Sequence, residues 1–285
     1  MNEDELASLF QTVSLSDEMY FKKLVGSSRD ELTCSDSSLS VDESNLVIKA
    51  LELMRTKTGI KDYYRVHLEK IVPMQAGLGG GSANAATTMH AFNKLSGNPV
   101  DNESLRNFGG EIGSDISLFF SSGTAFCTGR GEHINSLPPL PKSSEVIIDI
   151  FKINEGLSTA KVFQTLDLNS LNDLSPTILL DSFSKMGILA ASMDGKLIND
   201  LQVPALISSP TLRSFMDALK RIPIFELVTM SGSGTALCCF RKKADNDESS
   251  KVQTHINTLY KEFPGLQHFR CFPIVKSDTA DSWYL

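Results

Sequence analysis

Residues 73–86 read Pro-Met-Gln-Ala-Gly-Leu-Gly-Gly-Gly-Ser-Ala-Asn-Ala-Ala, with glycines at positions 77, 79, 80 and 81. So much backbone freedom in one place does not suit the interior of a strand or a helix, so this run must join elements. Its flanks say which ones. Arg65–Val72 alternates Val66 and Leu68 with His67 and Glu69, a strand pattern that Pro73 closes. Beyond the glycines, Ser82 has N-cap chemistry, and Ala85, Met89 and Phe92 recur at helical spacing until Gly97 and Pro99. The predicted unit is strand, glycine loop, helix.

A helix start offers backbone N–H groups without internal partners and about half a positive charge. Glycines let an anion approach them closely. Gly77, Leu78, Gly79, Gly80, Gly81, Ser82, Ala83 and Asn84 are therefore a candidate phosphate cradle, with a tight structural turn as the alternative. Two familiar loop patterns do not fit. The Walker loop's phosphate-gripping Lys is missing, and Asn84 stands where a dinucleotide loop has its third glycine.

Two further clusters accompany the first. Gly109-Gly110-Glu111-Ile112-Gly113-Ser114-Asp115 reads as a second glycine-rich turn after a short helix over Asn102–Phe108. Asp115 then precedes Leu118-Phe119-Phe120, which puts its carboxylate at the edge of a buried segment, able to accept a hydroxyl proton; a turn or N-cap Asp is the alternative. Ser231-Gly232-Ser233-Gly234-Thr235 lies between two apolar runs. Alone it is a hairpin turn, and beside the first loop it could support a phosphate chain.

Composition narrows the classes. With 285 residues and 41% apolar content, the chain suits one large domain or two ordinary ones. A net charge of -7 with scattered basic residues argues against a nucleic-acid surface. No run approaches the roughly 18–20 apolar residues of a membrane helix, and the acidic start at residues 1–5 resembles neither a signal nor a transit peptide. Five cysteines without zinc-ligand spacing suggest free thiols in a reducing compartment, and the five histidines are too dispersed for a metal set, so no dedicated metal site is expected.

Along the chain, residues 26–44 read as an exposed loop or hairpin insertion, and Asn45–Lys57 as a helix closed by Gly59. Pro138, Pro139 and Pro141 make a candidate hinge, with a domain boundary near residue 143. Strands at Ala125–Thr128, Glu145–Phe151, Leu227–Met230, Thr235–Arg241 and His268–Val275 are interleaved with helices at Ser158–Thr165, Ile178–Lys185, Thr211–Lys220 and Ser250–Phe263. The class is α+β.

In their order and spacing, Pro73–Ala86, Gly113-Ser114-Asp115-Ile116 and Met230–Thr235 resemble the three motifs of the GHMP small-molecule kinases. Glu5-Leu6-Ala7-Ser8-Leu9-Phe10, Gly123–Glu132 and Asn199-Asp200-Leu201 resemble further family segments. The resemblance implies two α+β domains, an ATP-binding one like ribosomal protein S5 domain 2 at 1–143 and a ferredoxin-like one at 144–285. It implies transfer of the ATP γ-phosphate, with Mg²⁺ accompanying the nucleotide, to the 2-hydroxyl of a cytidine diphosphate-linked methylerythritol in non-mevalonate isoprenoid biosynthesis. Asp115 would serve the accepting hydroxyl, residues 77–84 the triphosphate, and Asn45, Leu46 and Lys70 the nucleotide. Gly232, Ser233 and Gly234 would support the phosphate loop. Phe10 and Phe163 would face the cytidine diphosphate, or else belong to the core.

The chain departs from that pattern at its start. Family members carry an initial strand with a catalytic Lys and an Asp-Gly-Tyr-His segment, for which this chain has no counterpart; Glu3 and Asp4 fall at the Tyr and His positions, and Ala83 replaces a second loop Ser. A gene-model start placed too late explains this more simply than a degenerate enzyme. A catalytically impaired nucleotide-binding paralogue and a kinase for another small alcohol remain the alternatives. The family's compartments are the plastid and the bacterial cytoplasm, and Gly123–Glu132 looks closer to plastid members.

Overall fold

Local chemistry writes the first helix. Asn45 accepts a hydrogen bond from the Val47 amide, and Gly59 takes the left-handed φ of +73°, so α1 (Leu46–Thr58) is capped at both ends. This computed structural model describes residues 6–129, 131, 133–137, 146–171, 175–186, 199–243 and 246–274. The expected proline hinge and the boundary at residue 143 lie outside them, as do Glu3 and Asp4.

Before α1 come β1 (Leu6–Gln11), β2 (Glu18–Leu24) and β3 (Glu31–Cys34). After it come β4 (Tyr63–Glu69), α2 (Gly80–Leu95), α3 (Asn102–Ile112), a 3-10 helix (Ser114–Phe120), β5 (Thr124–Gly129) and β6 (His133–Ser136). Two three-stranded sheets form, in the orders β1-β5-β6 and β2-β4-β3. The core against the second sheet buries Tyr64, Met54, Met89 and Phe92 completely, with Tyr64 and Phe92 meeting edge to face at 5.6 Å. Burying one such Phe contributes about 1.5–3 kcal/mol.

Two local expectations are corrected here. Residues 26–44 are more than a loop, because β3 within them pairs in parallel with β4. Gly109 and Gly110 belong to α3 rather than to a turn; a Cβ on Gly109 would come 2.9 Å from Ile116 Cγ2, so this glycine lets the helix lie against the 3-10 segment.

The second half comprises β7 (Val146–Lys152), α4 (Thr159–Gln164), α5 (Pro176–Met186), α6 (Gln202–Ser208), α7 (Pro210–Lys220), β8 (Leu227–Met230), β9 (Ala236–Lys242), α8 (Asn246–Glu262) and β10 (Gln267–Cys271). Its antiparallel sheet runs β10-β7-β9-β8. One face packs Phe151, Leu237 and Cys239 against Leu212, Phe215 and Ile256 of the helices. The other face meets the first half, where Ile148, Ile150 and Ala236 pack with Ala76, Leu9 and Leu78. Each three- or four-stranded sheet is built from one half of the chain, and the isolated bridge Val13↔Pro273 links the two. The glycine loop and its neighbours sit along that contact.

Candidate active site

The loop reaches its helix earlier than Ser82. Gly79, at φ +65°, is the N-cap of α2, and no side chain caps it. Ser82 therefore lies inside the first turn, and its expected N-cap role is corrected. The first amides of α2 lack intrahelical acceptors, so the glycine-lined start keeps the donors that a candidate anion site needs. Leu78, Gly79, Gly80, Ala83 and Asn84 line a cleft of about 1900 Å³ between the halves.

Loop and third cluster are locked together. A Cβ on Gly77, at φ +72°, would stand 2.2 Å from the Ser231 carbonyl oxygen, an overlap no side-chain adjustment relieves. Ser231 Oγ donates to the Gly77 carbonyl at 2.8 Å, and the Ala236 amide donates to the Ala76 carbonyl at 3.1 Å. The turn itself is held by Asn199, whose Nδ2 donates to the carbonyls of Met230 and Gly232 at 2.8 Å each. Gly232 and Gly234 take φ of +51° and +89°. Ser233 Oγ pairs with Thr159 Oγ1 at 2.9 Å, joining the turn to the start of α4. Lys152 braces the same region from below, its ammonium donating to the Ile153 and Glu155 carbonyls at 2.7 and 2.6 Å; burial lowers its pKa.

Asp115 enters the cleft from the 3-10 helix, half-buried. Burial raises its carboxyl pKa, and among the described residues no donor reaches its oxygens to offset that. The adjacent Cys127 thiol is pushed up to about 12, by burial first and then by the charge of Asp115. Phe119, from the same 3-10 helix, lies 3.7 Å from where a Cβ on Gly79 would stand, so carboxylate and helix start share a rigid frame. Gly131, at φ +109°, packs closely on the Asp115 segment; a Cβ there would come 3.2 Å from Ser114 Cβ and 3.7 Å from Asp115 Oδ1.

The remaining candidates separate. Phe163 lines the cleft and is 49% exposed, whereas Phe10 lines it with its ring packed towards Leu118, Ala125 and Cys127. Asn45, Leu46, Lys70, Gly81 and Ser82 do not line the cleft. Asn45 spends its side chain on the cap of α1 and on the Ser40 carbonyl, while Leu46 Cδ1 lies 3.5 Å from the position of a Cβ on Gly81. Lys70 is buried in an ion pair with Asp17 at 2.8 Å. Asp17 had no sequence signal, because its partners come from distant segments.

These features define a class: two α+β halves enclosing a glycine-rich helix start and a carboxylate that has no partner among the described residues. A model of the GHMP kinases N terminal domain matches residues 45–131. The fold is similar to a crystal structure of 4-(cytidine 5'-diphospho)-2C-methyl-D-erythritol kinase, at a TM-score of 0.71 and 24% identity over 95% of this chain and 91% of that one. It is also similar to homoserine kinase from Cytophaga hutchinsonii, at 0.72 and 15% identity over 96% of each. In sequence, the chain is 44% identical over 235 residues to the 4-diphosphocytidyl-2-C-methyl-D-erythritol kinase of Protochlamydia amoebophila (strain UWE25), covering 82% of this chain and 75% of that protein. It is 41% identical over 240 residues to the chloroplastic/chromoplastic enzyme of that name from Solanum lycopersicum, covering 82% of this chain and only 57% of the relative. The chain belongs to the 4-diphosphocytidyl-2-C-methyl-D-erythritol kinase family of GHMP kinases.

Proposed function

We propose that this chain transfers the γ-phosphate of ATP to the 2-hydroxyl of 4-diphosphocytidyl-2-C-methyl-D-erythritol. The observation that carries this reading is the pairing, within one cleft, of an uncapped glycine-rich helix start and a half-buried carboxylate that meets no donor among the described residues. The residues fit a nucleotide, since Gly79 and Gly80 line the cleft at an uncapped helix start whose first amides have no intrahelical acceptors. ATP supplies the phosphoryl group when bound, and Mg²⁺ accompanies its phosphates. Among the described residues, no group of three or more His, Cys, Asp or Glu gathers to hold a metal.

The chain's own contribution is alignment and charge. The amides of the first turn of α2 that precede Ala83 would hold phosphate oxygens, with Ala83 and Asn84 lining the cleft beside them; Gly232–Gly234 keep the loop in register, and Asn45, Leu46 and Lys70 shape the nucleotide side of the first turn. Asp115 Oδ accepts a hydrogen bond from the acceptor hydroxyl, orients it and takes its proton; a raised pKa brings this base nearer the working pH. Phe163 would offer a face for the cytosine, and Phe10 an apolar wall elsewhere in the same cleft. We further propose that the halves are domains divided near residue 143, an S5 domain 2-like unit and a ferredoxin-like unit. The chloroplastic relatives support a plastid location, and among the described residues no helix is long and apolar enough to cross a membrane.

The test is a panel of acceptors with ADP release as the signal. The cytidylyl substrate is expected to give a kcat/KM at least about 100-fold above homoserine or mevalonate. Equal rates across the panel would assign another alcohol, and nucleotide binding without turnover would leave only a binding protein.

A further inference from the structure

Asp17, in the connection between β1 and β2, is 1% exposed and receives four donors. The amides of Ile71 and Val72 donate to Oδ1 at 2.7 Å each. Lys70 Nζ and Asn84 Nδ2 donate to Oδ2 at 2.8 and 2.9 Å. A carboxylate has about four acceptor sites, so this one is saturated. Its donors belong to the segment after β4 and to the first turns of α2.

Lys70 is the informative partner. Its ammonium, 6% exposed, has three N–H groups, of which one goes to Asp17 and one to the Val72 carbonyl at 2.5 Å. It lies 3.4 Å from where a Cβ on Gly80 would stand, directly against the helix start. The Asp17 charge offsets that of Lys70, so Lys70 is no free cation reaching for phosphate. It is a fixed donor, and among the described residues one of its N–H groups has no acceptor.

We propose that Asp17 is a positioning residue for nucleotide binding: it holds Lys70 and Asn84 at the first turn of α2, so that the cradle is formed before a nucleotide arrives. This rests on the kinase reading above. Asp17 touches no reacting atom and acts through Lys70, Asn84 and the backbone they fix. Outer-shell partners of metal ligands, which act in the same indirect way, typically cost about 10–100-fold in affinity or activity when removed.

The experiment compares wild type with Asp17→Asn, which keeps an acceptor for the two amides but turns an NH₂ group towards Lys70. Affinity for Mg²⁺ and a non-hydrolysable ATP analogue is measured by calorimetry, and KM for ATP and kcat by steady-state assay. The expected result is a rise of about 10-fold or more in both Kd and KM for ATP, with a smaller change in kcat. A merely structural Asp17 would lower the folded fraction, cutting kcat and leaving KM unchanged, and that outcome overturns the proposal. Should Asp17→Asn not fold, Lys70→Met tests the same arrangement with the other three bonds to Asp17 intact, and unchanged nucleotide affinity in that variant overturns it too. Where both fold, the double variant should bind no more weakly than the weaker single, and additive losses would contradict coupling through Asp17. A wild type that does not bind the analogue sinks the kinase reading itself, whereas tight binding by wild type and Asp17→Asn alike sinks only this inference.

Discussion

Asp17 and Asp115 line the same cleft, yet their surroundings are opposite. Asp17 is saturated by four donors, two backbone amides and the side chains of Lys70 and Asn84, and lies beneath the nucleotide half. Asp115 is half-buried, meets no donor among the described residues, and has its pKa raised by that burial. Donors to a carboxylate stabilise its charge and end its usefulness as a base; a desolvated carboxylate without donors keeps its basicity for a substrate proton. The difference divides the cleft into a half whose carboxylate is fully engaged and a half whose carboxylate is open to a substrate, and on the proposed function the first holds and the second reacts.

Breaking the open half should give the largest effect. Asp115→Asn is expected to lower kcat by about 10²–10⁴-fold while the nucleotide Kd stays within about 2-fold, as read by steady-state kinetics and calorimetry. Loss of nucleotide binding in that variant would erase the distinction between the halves. Breaking the engaged half should act on stability as well. Gly77→Ala places a Cβ 2.2 Å from the Ser231 carbonyl in a left-handed conformation and is expected to destabilise the fold by about 3 kcal/mol, as measured by urea unfolding.

Those two positions also show what the sequence made legible. The glycine loop and Asp115 carry short-range signals: alternation before the loop, helical spacing after it, and an acidic residue abutting an apolar run. The helix start was displaced from Ser82 to Gly79 because the positive φ that permits it is a backbone property that Ser chemistry does not report. Asp17 was silent, since its donors lie 53 to 67 residues away and only the fold assembles them. The contact of Gly77 with Ser231 likewise spans 154 residues, so sequence left the third cluster as either a hairpin turn or a support for the phosphate chain and did not show that it locks onto the loop. The expected turn at Gly109 failed because a glycine chosen for close helix packing looks the same in sequence as one chosen for a turn.

Smaller effects sharpen the comparison. Phe163→Ala should raise KM for the cytidylyl substrate about 10-fold, from lost base stacking, with little change in stability at a ring that is 49% exposed. An unchanged KM would place the cytosine elsewhere. The smallest expected effect concerns pH and stability. Because Asp115 has a folded pKa above its unfolded value, the folded state binds more protons between the two, and wild-type stability falls as pH rises through that window. Asp115→Asn should therefore raise Tm by a few degrees at neutral pH, the gain vanishing once pH falls below the ordinary carboxylate value. A gain that persists in acid would mean that the carboxylate is not the source of the penalty.

The central claim is phosphoryl transfer to one hydroxyl across this cleft. Incubating the protein with Mg²⁺-ATP and 4-diphosphocytidyl-2-C-methyl-D-erythritol and following ³¹P resonances tests it directly. The account predicts a new phosphomonoester signal on the 2-hydroxyl, formed in step with ADP while the cytidine diphosphate remains intact. ATP bound in the cleft without any such signal, or a phosphate on a different hydroxyl, would contradict it.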